Sequence, residues 1–192
     1  VSVPYADKMI TEITCHAMGA VWIFDNKDMT IIDIGGQDTK IICVEQGFVK
    51  DFMMNDKCSA GTGRFLEIMA NTLSMRPNEM CELARSGSGV TISSMCTVFA
   101  ESEVISLIGQ GEKKENIAFA VVDSIVRKVA AQANRMSEDR SMLCLTGGLC
   151  DCSYISEALS KELGMEVKTD VQSRYAGAIG AALGAVKKGK KN

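Results

Sequence analysis

The stretch TIIDIGGQDTKIICVEQGFVKDFMM, residues 30–54, constrains the fold of this chain more than any other. TIIDI is a short apolar run rich in β-branched residues, which fit a pleated, buried surface. Gly35-Gly36 then turns the chain and TKIICVE continues as a second strand. Gln46-Gly47 makes a second turn before a third strand, FVKDFMM. Three strands joined by tight turns predict an antiparallel meander at the start of a sheet.

Beyond the meander the periodicity becomes helical. Residues 61–73 place Phe65, Leu66, Met69 and Leu73 on one side. Pro77 fits the first turn of another helix, which Gly87 and Gly89 end. VTISSMCTVFAESEVISLIGQG reads as a short strand-like piece followed by a helix from about Glu101. Residues 114–136 form the longest helix, with Ile117, Val121, Val122, Ile125, Val129 and Ala133 on its buried stripe. SMLCLTGG is a strand ending in a Gly-Gly turn, SYISEALSKELG a helix, MEVKT a strand, and residues 174–187 a last helix. Ahead of the meander, residues 6–20 form a helix ending at Gly19. The order predicts an α/β fold with helices packed against a mixed sheet, without internal repeats.

Bulk composition narrows the function. The chain has 192 residues, is 46% hydrophobic and contains two prolines, so a packed core is expected. A net charge of −3 without a basic stripe argues against nucleic acid. Eight scattered cysteines do not resemble a small secreted scaffold, and with no signal peptide at the start a reducing cytoplasm is the natural setting. The run AGAIGAALGAV falls short of the ~20 residues that a membrane span needs, and the ending KKGKKN reads as a solvated tail. The opening VSVPYADK lacks an initiator methionine, which suggests a piece of a longer protein.

Four groups of residues carry candidate chemistry. In Asp33-Ile-Gly-Gly-Gln-Asp38, the glycines Gly35 and Gly36 let backbone N–H groups approach a phosphate, while Asp33 and Asp38 suit Mg²⁺ or the orientation of a water. The plain alternative is a hairpin turn. In Leu145-Thr146-Gly147-Gly148, a nucleotide base or ribose can lie on Gly147 and Gly148, unless this is only a tight strand-to-helix turn. Gly177, Gly180 and Gly184 share one helix face, open either to a ligand or to another backbone. Cys58, ahead of the turn SAGTG, and Cys96, ahead of a helix, are possible thiolate ligands; helix N-termini lower a thiol pKa. Two thiolates do not complete a four-cysteine iron–sulfur site, but two copies on a two-fold axis would. Cys144, Cys150 and Cys152 compete as a zinc or redox group. Cys15, Cys43 and Cys81 read as core or surface residues, and His16 as a packing or capping residue.

Taken together, ITEITCHAMGA, IDIGGQDTK, NDKCSAGTGRF, SSMCTVFAESEV and LTGG resemble the activators of 2-hydroxyacyl-CoA dehydratases, in the BadF/BadG/BcrA/BcrD-type ATPase family. The resemblance covers essentially the whole chain. It implies an actin-like/Hsp70-like ATPase (ribonuclease H-like) fold. It also implies a homodimer holding one [4Fe-4S] cluster, with Cys58 and Cys96 at the positions of its ligands. ATP and Mg²⁺ would bind each subunit, with Asp33, Gln37 and Asp38 as catalytic residues. Gly35, Gly36, Gln37, Gly147, Gly148 and Gly177 would bind the nucleotide. Reduced ferredoxin or flavodoxin would be the electron donor, and a 2-hydroxyacyl-CoA dehydratase or benzoyl-CoA reductase the acceptor. The helix after Cys58 would point its positive end at the cluster. Nothing here matches the family's first phosphate loop, of Asp-x-Gly-Ser-Thr type. Residues 1–28 are therefore expected to be the last helix of an N-terminal lobe and residues 29–192 the C-terminal lobe, with half of the nucleotide cleft absent. A sugar or acyl kinase of the same superfamily, and a non-catalytic actin-like binding module, are the rival readings.

Overall fold

The structure is a computed structural model and describes residues 9–93, 96–136 and 141–186. Helix α1 (Glu12–Phe24) precedes strands β1 (Met29–Ile34), β2 (Thr39–Glu45) and β3 (Phe48–Asn55). Helices α2 (Gly63–Thr72), α3 (Pro77–Ala84), α4 (Thr97–Gly109) and α5 (Lys114–Met136) follow. The chain then runs through β4 (Leu143–Thr146), α6 (Ser153–Leu163), β5 (Val167–Lys168) and α7 (Ala176–Val186). Short 3-10 turns, Gly148–Asp151 and Ser173–Tyr175, precede α6 and α7.

The sheet order is β3-β2-β1-β4-β5. The meander pairs antiparallel, whereas β4 joins β1, and β5 joins β4, in parallel. Central β1 is buried along its whole length, and its alternation divides the core in two. Met29 and Ile31 pack with Ala17 and Ala20 of α1. Ile32 and Ile34 face the other way, against Phe65 and Leu66 of α2 and Val121 and Ile125 of α5. Each large aliphatic side chain buried this way contributes about 1.5–3 kcal/mol.

Helix α7 lies against α1 through its small residues. A Cβ at Gly180 would stand 1.7 Å from the Cys15 carbonyl oxygen, and one at Gly177 3.0 Å from His16 Nε2. Helix packing therefore accounts for this glycine face, and Gly177 faces α1.

Three boundaries differ from the periodicity. Helix α1 passes through Gly19 and ends at Asp25, whose φ of 46° is left-handed. Gly19 is there for contact, since its Cβ would meet the Ala176 carbonyl oxygen at 1.8 Å. Helix α4 starts at Thr97 and not near Glu101. Its Val98 and Phe99 are exposed, so no core-facing stripe marks its first turn. Residues 90–93 form no strand, because β3 and β5 hold the edges of the sheet. Residues 6–8 of the first expected helix, Ser94 and Met95, and the tail 187–192 lie outside the described residues.

Candidate functional site

The two Gly-Gly turns leave neighbouring strands at the same edge of the sheet, because Asp33 of β1 stands in register with Thr146 of β4. Gly147 has φ 83°, and a Cβ there would stand 2.4 Å from the Ile34 carbonyl oxygen. This position needs glycine on both counts. A cleft of about 330 Å³ opens between the turns, lined by Gly35, Gly36, Gly63, Asn71, Arg76 and Gly148, among others. That volume suits a small-molecule ligand. Gly36 and Gly148 have open space where a Cβ would be, so the cleft meets bare backbone at both turns. Gln37 is exposed beside Gly36.

These contacts separate two alanine substitutions. At Gly147, alanine meets a left-handed backbone, costing about 1–2 kcal/mol, and an overpacked strand pair, costing about 1–3 kcal/mol. At Gly148 the methyl enters the cleft and touches nothing else. Thermal melting combined with calorimetric titration of ADP checks the pair. Gly147→Ala is expected to lower Tm by several degrees, whereas Gly148→Ala is expected to keep Tm and weaken ADP.

Beneath the first turn sits a cluster that sequence reading found only in part. Buried Asp33 accepts a hydrogen bond from the Thr146 hydroxyl at 2.8 Å, and its second oxygen lies 3.3 Å from Lys40 Nζ. Lys40 is 2% exposed and also reaches Asp38 at 2.7 Å and Glu12 of α1 at 3.1 Å. Burial alone would lower the Lys40 pKa, but the hydrogen bonds to Asp38 and Glu12 and the charge of Asp33 raise it well above the usual value. His16 lies 3.6 Å from both Asp33 and Glu12, and its buried Nδ1 has no hydrogen-bond partner.

The two aspartates of the turn are therefore bridged by Lys40. Three carboxylates around one ammonium remain net negative, which fits a divalent cation. Each of the three carboxylates gives one oxygen to Lys40 and Asp33 gives its other to Thr146, so such an ion would be held by the second oxygens of Asp38 and of Glu12, whose side chain is 63% exposed. A lysine at a buried position of an apolar strand, in TKIICV, was the available signal for Lys40. Glu12 carried none.

The cysteine loops are built against the same turn. The Asn55 side chain donates to the carbonyls of Cys58 and Ala60, at 2.9 and 3.2 Å. The Thr39 hydroxyl donates to the Gly61 carbonyl at 2.7 Å. The first N–H groups of α2, from Gly63 and Arg64, donate to the carbonyls of Gly35 and Gly36, at 2.9 and 2.7 Å. The first two N–H groups of α2 are thus taken up by the glycine turn. Cys96 is itself the N-cap of α4 and is exposed. The hydroxyls of Ser59 and Thr97 hydrogen-bond at 2.6 Å, which brings together the loops carrying Cys58 and Cys96.

The competing cysteine group is dispersed. Cys144 is buried in β4 with its thiol near Met29 and Thr30, Cys150 lies beside Asp151, and Cys152 pairs with Cys81. Burial pushes the Cys150 thiol up to about 11 and Cys144 higher still. The hydrogen bond between Cys81 and Cys152 lowers Cys152 and raises Cys81. Among the described residues no three His, Cys, Asp or Glu side chains stand close enough to hold a metal within one chain. Cys58 is half-buried and Cys96 exposed, whereas the other six cysteines are buried. A surface pair of thiolates per chain fits a four-sulfur site completed by a second copy.

Comparison with known proteins agrees with this geometry. Residues 1–185 match the BadF/BadG/BcrA/BcrD ATPase family. The chain is 48% identical, over 187 residues, to the (R)-2-hydroxyglutaryl-CoA dehydratase activating ATPase of Acidaminococcus fermentans, spanning 97% of this chain and 71% of that protein. It is 40% identical, over 189 residues, to the 2-hydroxyisocaproyl-CoA dehydratase activator of Clostridioides difficile, spanning 97% and 70%. The crystal structure of the A. fermentans dehydratase component A superposes with a TM-score of 0.92, covering 97% of this chain and 71% of that one. The C. difficile activator with bound ADPNP superposes at 0.89, with 38% identity, covering 99% and 73%. The ethanolamine utilization protein EutJ of Carboxydothermus hydrogenoformans, 17% identical with a TM-score of 0.54 over 88% of this chain and 53% of that one, shares the fold alone. The architecture is the expected actin/Hsp70-like ATPase fold with a mixed sheet.

Proposed function

The chain belongs to the BadF/BadG/BcrA/BcrD ATPase family, and from that premise we propose that it is the ATP-driven activator of a 2-hydroxyacyl-CoA dehydratase or a related benzoyl-CoA reductase. In this reading two copies hold one [4Fe-4S] cluster through Cys58 and Cys96 of each. When bound, the cluster supplies one-electron redox chemistry. Reduced ferredoxin or flavodoxin is the donor and the dehydratase the acceptor. Residues 1–28 are the end of one lobe and residues 29–192 the other.

The chain's own residues divide the work. Gly36 and Gly148 offer bare backbone to the nucleotide, while Gly35, bonded through its N–H to Asp38 and through its carbonyl to Gly63, shapes the turn. Asp38 and Glu12 would hold Mg²⁺, with Lys40 and Asp33 fixing their positions. Gln37, exposed on the turn, orients the attacking water.

One observation carries the coupling of ATP to electron transfer. The glycine turn and the cysteine loops form a single hydrogen-bonded unit, from the carbonyls of Gly35 and Gly36 through the first turn of α2 to Ser59 and Thr97. A ligand that shifts the turn also shifts the loops, because the two share these bonds.

Anaerobic reconstitution with iron and sulfide tests the reading. About four irons per two chains are expected, with chelator removing them at different rates in the presence of ADP and of a non-hydrolysable ATP analogue. Equal chelation rates with the two nucleotides would overturn the coupling. An iron-free dimer would overturn the cluster.

A further inference from the structure

A second concavity, of about 300 Å³, lies between α5 and the segments carrying Ala60 and Ile92, and shares no lining residue with the glycine cleft. Arg127, Lys128, Gln132 and Arg135 line its α5 side. Lys128, Gln132 and Arg135 border the buried stripe of Val121, Ile125 and Val129, with Lys128 and Gln132 half-buried, whereas Arg127 points to the far side of the helix. Arg127 is paired with Asp123 at 2.8 Å. Lys128 and Arg135 make no ion pair among the described residues. Beside the cleft, Glu103 accepts hydrogen bonds from the hydroxyl and N–H of Ser93, at 2.9 and 2.8 Å.

The molecule as a whole carries a net charge of −3, so a face with two cations unpaired among the described residues departs from that balance. The sequence contains no basic run here. The face exists because α5 places positions 128, 132 and 135 on one side.

We propose that this cleft binds a small polyanion carrying two phosphate groups or a short polyphosphate chain. The spacing sets the class. Lys128 and Arg135 lie seven residues apart, about 10 Å along the helix axis, so an extended ligand with two anionic groups can engage both cations at once. The Gln132 amide lies between them, and the guanidinium fork of Arg135 matches a phosphate in geometry. Ala60 and Ile92 give the opposite wall an apolar surface for the body of such a ligand. The site also touches the cysteine loop. A Cβ at Gly61 would meet the Lys128 stem at 3.3 Å, so a ligand that fixes Lys128 braces the backbone three residues from Cys58. This inference stands independently of the electron-transfer reading.

Calorimetric titration at about 0.1 M salt tests it, because salt at that level screens diffuse attraction beyond ~10 Å. Tripolyphosphate and inorganic phosphate are titrated into the whole chain, with the glycine cleft occupied by a non-hydrolysable ATP analogue. The expected result is saturable 1:1 binding of tripolyphosphate, at least about tenfold tighter than phosphate. Lys128→Gln/Arg135→Gln should weaken it by about tenfold or more, the equivalent of one lost charged contact. Both substitutions are on the helix surface, and circular dichroism should give an unchanged melting curve. Unaltered affinity in the double variant, or displacement of tripolyphosphate by the ATP analogue, would place the anion elsewhere and end the proposal. Tighter binding of a polyglutamate peptide than of tripolyphosphate would also end it, by identifying an acidic protein segment as the occupant.

Discussion

Serine in place of Cys96 is expected to strip the reconstituted protein of nearly all its iron, and serine in place of Cys58 to do the same. Each chain brings two accessible thiols to neighbouring loops, Cys58 half-buried and Cys96 exposed at the start of α4. A four-sulfur site made by two copies loses two ligands at once when either position is changed. A serine hydroxyl cannot replace a thiolate, since it stays protonated at neutral pH. The other cysteines serve as internal controls. Cys144 is buried with its thiol pushed above its ordinary value, and Cys81 is buried against Cys152. Cys144→Ala and Cys81→Ala should therefore keep the wild-type iron content. Iron and sulfide assays on all four variants, with the broad visible absorbance band as a second readout, decide the matter. Wild-type iron in Cys58→Ser and Cys96→Ser would mean that these loops hold no cluster.

Lys40→Met is expected to produce the largest loss of stability. Lys40 is 2% exposed, and its ammonium pairs with Asp33, Asp38 and Glu12. Removing it leaves the Asp33 carboxylate buried with the Thr146 hydroxyl bond and with His16 3.6 Å away. Breaking a buried pair by deleting one partner costs about 3–5 kcal/mol. For a chain of this length each kcal/mol is worth about 2–4 °C, so Tm should fall by about 6–20 °C.

The pH dependence has a definite sign. The folded-state pKa of Lys40 is raised above its unfolded value by the surrounding carboxylates. Its contribution is therefore fully present below the unfolded value of about 10.4 and is lost as pH rises through the folded-state value. Wild type and Lys40→Met should differ by a constant amount between pH 6 and 9, with the gap closing above about pH 10.4. Differential scanning calorimetry across that range checks both parts. A Tm within 2 °C of wild type for Lys40→Met would show that the three carboxylates do not depend on this ammonium.

The sequence by itself determined the strands and most of the helices, because their signals are local. β-Branched runs closed by Gly35-Gly36 and Gln46-Gly47 leave a meander as the short-range solution, and its antiparallel pairing follows the turns. The apolar stripe of α5 likewise fixed that helix at Lys114–Met136. Both glycine turns could be read as phosphate or nucleotide contacts, since glycine marks places where backbone must come close. Only the tertiary structure decided which contacts those turns make. It placed Gly147 against Ile34, gave the first N–H groups of α2 to Gly35 and Gly36, and turned Gly177 toward His16. It also joined Lys40 to Glu12, a pair separated by a helix and a strand, and set Lys128 and Arg135 of α5 across from Ala60 and Ile92. Charge pairing and close approach depend on distances between residues remote along the chain, and those distances exist only once the helices have packed on the sheet.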